Sequence, residues 1–479
     1  MPLNPYLIKA LFSKTSVIVL LLCLLFVCSE AQTPFDIPQL KADTARRARR
    51  QHNRASFQYK NFGRAYLELG LMEVLPWTWD RYLKNADYAK ISFKTLAQHL
   101  NPNSWAFDDD NFQTNQFGHP YHGSYFFNTF RTNGFSFWQS VPAVAAGSYI
   151  WETAAENQAP APNDFVNTTF GGIVLGEMTY RLSNRIINNR TRGLKRQVNE
   201  VIALLIDPVN GLNRIIDGKW GKVMNNAPDY DSSKVVAEFD LGLRQFGTDG
   251  SGLFNSNHYG WYSHIKMQYG SPYINFKKPF TNIAINAEFG KDDSSKVNVV
   301  SVYGSLTGWK IYTDRVKNLA VLSANYDYIR NVAFFYGAQS VKMNLYTTDT
   351  LSKKLILSSS LGAGPVLLAA IPDAYLRDNN RNYDYGPGFA FNAGGGIAII
   401  NRVFFNVNYR GGWMHTINGN PSHYFLQAYT NELAVRIVKR FLIGAEAGKF
   451  NLHGKFKNYA DVDKTYPYIH LSVRYTTSL

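Results

Sequence analysis

Arg402-Val-Phe-Phe-Asn-Val-Asn-Tyr-Arg410 is the stretch whose reading decides the fold. In an extended chain successive side chains point to opposite faces. Val403, Phe405, Val407 and Tyr409 then share one face, and Arg402, Asn406, Asn408 and Arg410 the other. The same period of two recurs on both sides of it. Val235, Ala237, Phe239, Leu241 and Leu243 oppose Glu238, Asp240 and Arg244. Ile283, Ile285, Ala287 and Phe289 alternate with Asn282, Asn286 and Glu288, and Ile469, Leu471, Val473 and Tyr475 with His470, Ser472 and Arg474. About twelve such runs start near residues 233, 259, 281, 296, 319, 332, 353, 386, 402, 421, 440 and 465. One apolar and one polar face per strand is the pattern of a transmembrane barrel, whose strands are even in number, so ten, twelve or fourteen fit. Tight links at Asn401-Arg402 and Lys439-Arg440 alternate with longer polar ones, such as Thr416 to His423. The short Arg330-Asn331 link breaks that alternation and marks a place where a strand is miscounted. The fold class is a membrane all-β barrel of about twelve antiparallel strands over residues 230–479. A soluble β-sandwich is the competing reading for this half.

The N-terminus sets the compartment. Lys9 and Lys14 precede an apolar run, Ser16 to Cys28, and Ser29-Glu30-Ala31 follows with small residues where a signal peptidase cuts. Residues 1–31 read as a cleaved secretory signal, the run being too short for a spanning helix. Cys23 and Cys28 both leave with it, so packing and backbone pairing replace disulfides. The net charge is +15, and 15% of residues are aromatic, with 30 Tyr and 32 Phe. In an exported chain that balance excludes nucleic acid and points to lipid headgroups, lipopolysaccharide phosphates or another envelope protein. The aromatic excess suits the girdles of a barrel. Localisation in the cell outer membrane follows as an expectation.

Residues 32–55 carry clustered arginines (Arg46, Arg47, Arg49, Arg50, Arg54) and read as a basic flexible segment. Residues 56–225 read as a helical domain, a periplasmic cap or a lumenal plug. Helices are expected over Phe62–Leu83, Phe135–Glu156, Asp164–Asn189 with Asn163 as N-cap, and Gln197–Ile206 ended by Asp207-Pro208. Each is short or charged, so none is a spanning helix.

The polar and aromatic motifs concentrate before the barrel: Trp105-Ala-Phe-Asp-Asp-Asp110, Asn111-Phe-Gln-Thr-Asn-Gln-Phe-Gly-His-Pro-Tyr-His-Gly-Ser124, Trp151-Glu152, Ala161-Pro-Asn-Asp-Phe-Val-Asn167 and Gly171-Gly-Ile-Val-Leu-Gly-Glu-Met-Thr-Tyr-Arg181. Over roughly residues 100–190 these resemble an uncharacterised domain family that precedes barrels in Gram-negative outer-membrane proteins. The resemblance rests on Asn115, Pro120, Tyr121 and Gly123 in the first run, the Trp151-Glu152 pair, Asn163 and Asn167 at a helix start, and Gly171, Gly172, Gly176 and Glu177 in the helix that ends at Arg181. It implies a compartment and no activity.

The residues themselves leave three readings open. His119 and His122, three apart, with Glu152 or Asp110, could hold a divalent metal. With a carboxylate orienter, Asp164 included, they could serve as a general base. They could also satisfy one another and pin the helices to the barrel. Gly172 and Gly176 allow a backbone to approach, and Glu177 can pair with Arg181 four residues on. No cofactor is expected, and no nucleophile motif surrounds Ser124. The chain therefore reads as a non-enzymatic envelope component for assembly, transport or scaffolding. The alternative is a lipid- or glycan-modifying enzyme using His119, His122 and Glu152. His119, His122, Glu152 and Asp164 are expected to cluster on helices outside the strand ladder.

Overall fold

The computed structural model describes residues 60–224, 233–247, 258–274, 276–291, 296–312, 316–331, 335–376 and 381–478. The expected signal and the arginine-rich segment lie outside the described residues. Twelve antiparallel strands close into one barrel, each pairing with its neighbours in sequence, and β1 pairs with β12. They are β1 (Val235–Phe246), β2 (His258–Tyr269), β3 (Ile283–Gly290), β4 (Val297–Tyr312), β5 (Val316–Arg330), β6 (Phe335–Ser352), β7 (Leu355–Pro372), β8 (Tyr383–Ile399), β9 (Val403–His415), β10 (Ser422–Val438), β11 (Phe441–Phe456) and β12 (Val462–Ser478). The period-two runs thus start within a few residues of the strands they announced. No strand is miscounted at Arg330. The link at 331–334 lies at the end of the barrel that also holds the links at 373–382, 416–421 and 457–461. Links 353–354, 400–402 and 439–440 lie at the other end.

Alternation fixes what faces the lumen. Asn325, Asp327, Lys342, Asn344, Asn406 and Arg410 line an internal cavity of about 650 Å³. Lys266 on β2 reaches Glu432 on β10 at 2.8 Å, and Arg474 on β12 clamps Asp240 at 2.6 and 2.8 Å and also meets Glu432. The intervening residues must point outward, as Phe405, Leu433 and Leu471 do, all exposed.

The helical domain packs on that outward face. Its helices are α1 (Phe62–Thr78), α2 (Phe93–His99), α3 (His119–Arg131), α4 (Phe137–Ala154), α5 (Pro162–Val166), α6 (Gly172–Ile186), α7 (Gly193–Ile206) and α8 (Pro208–Ile216). Tyr326 and Tyr328 alternate with the lumenal Asn325 and Asp327, yet both are buried, because Phe112 lies 5.4 Å from the Tyr328 ring and Tyr326 donates to the Gln116 carbonyl. Phe335, Tyr383 and Tyr385 are covered likewise, by Phe112 and Phe107. One apolar cluster joins Phe126, Phe127, Phe137 and Val174 of the helices to Ile283, Val302, Leu368 and Tyr385 of the wall. The expectation of a lumenal plug, or of a cap over the barrel's end, is therefore corrected. The lumen is crossed by the barrel's own ion pairs around an open cavity, and the strands present their apolar side to the helices.

Around its apolar core, several helices bury ionisable or polar side chains and expose apolar ones. On α1 and the π-turn Trp79–Leu83, Glu68, Glu73 and Asp80 are buried, whereas Tyr66, Leu67, Leu71, Val74, Leu75, Tyr82 and Leu83 are exposed. On α4, Ser140, Ser148 and Glu152 face in, and Trp138, Tyr149 and Ile150 face out. On α8, Asn210, Asn213 and Arg214 are covered and Leu212, Ile215 and Ile216 are not. Buried acids are clamped by arginines: Glu177 by Arg131 and Arg181 at 2.7 and 2.8 Å, and Glu200 by Arg196 and Arg214 at 2.6 and 2.7 Å. No described helix is long and apolar enough to cross a membrane.

Candidate functional site

The site is assembled where α3 crosses the helix that runs from α5 into α6. The expected single helix over 164–189 is α5, a π-turn at Asn167–Gly171 and α6. A second π-turn, Thr114–Gly118, leads into α3. Single π-turns inside helices recur at functional sites, because the extra residue re-aims the side chains around it. Here one re-aims Asn115 and Gln116 and precedes His119, and the other carries Asn167 and Thr168. The crossing is tight because glycines meet. A Cβ on Gly123 would lie 2.0 Å from the Thr168 carbonyl oxygen, and one on Gly172 2.5 Å from the Gly123 carbonyl carbon. Gly171 similarly meets Pro120, and Gly176 meets Phe127. The glycines thus do what their spacing implied, and Glu177 pairs with Arg181.

This contact brings three of the four expected residues together. Donor atoms of His119, Glu152 and Asp164 all lie within 4.8 Å of one another. His119 Nε2 faces Asp164 Oδ1 at 3.7 Å, and its Nδ1 meets the Thr168 hydroxyl at 3.2 Å. Glu152 accepts the Ala161 N–H at 2.9 Å. His122 points elsewhere: its Nε2 meets the Met72 carbonyl at 3.2 Å, and its ring packs on Phe126 and Trp151. Asp110, weighed as a carboxylate ligand, offers its backbone carbonyl to the Tyr383 hydroxyl at 2.7 Å. The acid that joins the cluster is Asp108. Its Oδ1 accepts from Asn115 at 2.6 Å and from Asn163 at 3.0 Å. Asn163 also donates to Asp164 Oδ1 at 2.7 Å, so one amide spans the two acids.

Asn163 is therefore not the N-cap the sequence suggested. Pro162 starts α5 with its fixed φ and absent N–H. The Asn163 side chain is then free to accept the Asp108 N–H and to reach Tyr385. Tyr383 and Tyr385, each hydrogen-bonded to Asn115, extend the network into the barrel wall. Helix α3 itself, and with it the fixed orientation of both histidines, escaped the periodicity, since its residues mix apolar and polar types around the turn.

Burial sets the electrostatics. Removal from water raises Asp164 well above the usual carboxylate range, with Asp108, Glu152 and Glu156 adding to it. Glu152 is raised for the same first reason. Desolvation lifts Glu156 to about 7 and Glu73 to about 8. It lowers His119, and it takes His122 down to about 4. A neutral imidazole beside protonatable carboxyls can take up a cation or relay a proton. Ser124 is no nucleophile, since its hydroxyl donates to the Tyr121 carbonyl at 2.6 Å.

Comparison with known proteins covers both halves. Residues 104–209 match the model of a domain of unknown function, DUF3943. The match contains the whole cluster, and the resemblance read from the motifs falls within the same region. No curated protein matches the chain. Among solved structures, the NanC porin is 10% identical with a TM-score of 0.27, over 48% of this chain and 98% of that one. An anion-selective porin from Comamonas acidovorans is 9% identical with a TM-score of 0.23, over 51% and 99%. OmpT, an outer membrane protein of Vibrio cholerae, is 10% identical with a TM-score of 0.21, over 51% and 98%. The barrel assignment rests on the strand pairing itself.

Proposed function

We propose that this is an outer-membrane protein in which the barrel is the scaffold for a helical domain embedded in the lipid beside it. The polar cluster of that domain is the working site, and it meets its ligand from the bilayer and not through the lumen. The observation that carries the reading is the inverted polarity of α1, α4 and α8 on the outward face of the barrel. In water such a surface exposes a large apolar patch. In a bilayer it is the ordinary arrangement, with ionisable groups turned inward and partnered. Lipid and lipopolysaccharide are then its immediate partners, reached from the periplasmic side by way of the N-terminal signal. The test uses the absence of cysteine downstream of residue 28. Single-cysteine variants at Leu71 and Ile150, carrying an environment-sensitive fluorophore, are reconstituted with brominated lipids. Quenching equal to that at Phe405 supports the reading. Quenching as weak as that at the lumenal Asn408 overturns it.

A second reading is favoured by the lumenal cavity of about 650 Å³ lined with asparagines and charged side chains. It is passage of small polar solutes. Ion pairs such as Lys266–Glu432 cross that lumen, so steady conductance in planar bilayers that rises in Glu432→Gln would establish it.

A further inference from the structure

We infer that His119, Glu152 and Asp164 form a binding site for a divalent first-row transition cation, of which Zn²⁺ and Mn²⁺ are the probes. The inference rests on the reading of this cluster as the working site. It stands apart from where the domain lies relative to lipid.

Three features of the geometry carry it. The first is the donor set. One imidazole and two carboxylates suit such ions, and a hard oxygen-only ion would not need the imidazole. Two donors each about 2.1 Å from a tetrahedral ion lie roughly 3.4 Å apart. The 3.7 Å between His119 Nε2 and Asp164 Oδ1 is close to that spacing and too long for a hydrogen bond. Glu152, within 4.8 Å of both, needs a small side-chain rotation to complete the set.

The second feature is the support around the donors. Metal-binding histidines usually commit the other ring nitrogen to a fixed partner, which selects the tautomer. Thr168 does this for Nδ1 of His119, which leaves Nε2 for the ion. Asn163 holds Asp164 in the same way, and ties it through Asp108 and Tyr385 to the barrel wall.

The third feature is a set of carboxyls without cationic partners. The domain clamps two of its buried acids, Glu177 and Glu200, with two arginines each, whereas Asp207, also fully buried, accepts a backbone N–H at its helix start instead. Among the described residues no lysine or arginine side chain pairs with the carboxylates of Asp108, Glu152 or Asp164. Glu73, 7% exposed, has no hydrogen-bond partner for either carboxylate oxygen and sits close enough to influence Glu152. Asn167, fully buried on the π-turn beside Thr168, has both side-chain atoms unpartnered. Buried carboxyls without a cationic partner either hold their protons or take up a positive group. A dication can displace those protons without an added side chain.

The experiment is metal analysis by mass spectrometry on the full-length protein, purified from membranes in detergent without chelator. It is repeated after stripping and reloading with Zn²⁺ or Mn²⁺. The expected result is about one equivalent per chain, as for a single structural or catalytic ion. It should fall at least tenfold in Glu152→Gln and Asp164→Asn, since losing even an outer-shell partner costs about 10–100-fold in metal affinity. His453→Ala, at a half-buried barrel histidine remote from the cluster, should leave it unchanged. Heat-modifiable migration on gels shows that each variant still has a folded barrel, and unchanged helical ellipticity shows that its helical domain is folded. Folded wild-type protein that neither carries nor takes up Zn²⁺ or Mn²⁺ overturns the inference. So does metal retained in the Glu152→Gln/Asp164→Asn double variant. Lipid quenching at Leu71 is indifferent to all of these outcomes, so failure of the metal site and failure of the lipid-embedded reading are told apart.

Discussion

Replacing Gly123 by alanine sets two effects of opposite sign against each other. Alanine favours a helix interior over glycine by about 1 kcal/mol, so an isolated α3 would be strengthened. In the folded domain the added Cβ lies 2.0 Å from the Thr168 carbonyl oxygen, 2.9 Å from its carbon and 3.1 Å from Gly172 Cα. All three are backbone atoms, so no side chain can swing away, and α3 must move from the α5–α6 helix by about an ångström. Overpacking of this kind destabilises by about 1–3 kcal/mol, with the upper end appropriate where backbone meets backbone. The clash therefore wins by roughly 1–2 kcal/mol, which lowers the melting temperature of a helical unit this size by about 2–8 °C. The same movement separates His119 from Thr168, so the cluster loosens with the crossing. Helical ellipticity should melt earlier in the variant, with the barrel's heat-modifiable migration unchanged. A melting temperature equal to or above wild type would refute the close crossing, since only the helix propensity would then be expressed.

Further outcomes follow from the same geometry. Leu71→Lys places a charge on the outward apolar face of α1. At an aqueous surface this change shifts stability by within about 0.5 kcal/mol, but on a lipid-facing surface it should lower it by about 2–4 kcal/mol, read by urea unfolding in bilayers. Arg474→Met leaves Asp240 without its clamp, beside a Glu432 held by Lys266, and should destabilise the barrel by about 3–5 kcal/mol, seen as a lower urea midpoint for loss of strand signal. The acids raised by burial make the metal-free domain sensitive to pH. Glu73 near 8 and Glu156 near 7 hold their protons more tightly folded than unfolded, so their contribution is full near pH 4.5 and is lost as pH rises through 7 to 8. Melts from pH 5 to 9 should show falling stability of the helices, and Glu73→Gln should flatten the upper part of the curve.

The barrel was legible in the sequence because its signal is local. Alternation at Val403, Phe405 and Val407 against Asn406 and Asn408 needs only the pleat of one strand, and each run carries the same information independently. Gly171, Gly172 and Gly176 were legible for a similar reason, since three glycines in one helix already imply a close neighbour, although Gly123 as that neighbour was not. Helix α3 was not, and neither was the choice of Asp108 over Asp110. The two acids stand in one run of aspartates, and what separates them is Asn163, 55 residues away, whose amide reaches one carboxylate and not the other.

Which side of the wall the helices occupy was decided by tertiary structure alone. Periodicity in α1 establishes that Leu67, Leu71 and Val74 share one face and that Glu73 lies on another. It does not say which face turns inward, because that depends on the solvent of the folded chain. The strand pattern has the same symmetry: it separates Tyr326 and Tyr328 from Asn325 and Asp327 without saying what covers the tyrosines. The answer came from long-range contacts, in which Phe112, Asn115 and Gln116 meet the outward tyrosines and the domain's charges close on one another. Sequence fixes which residues share a face; the assembled fold decides what that face meets, because only there do the two apolar surfaces find each other.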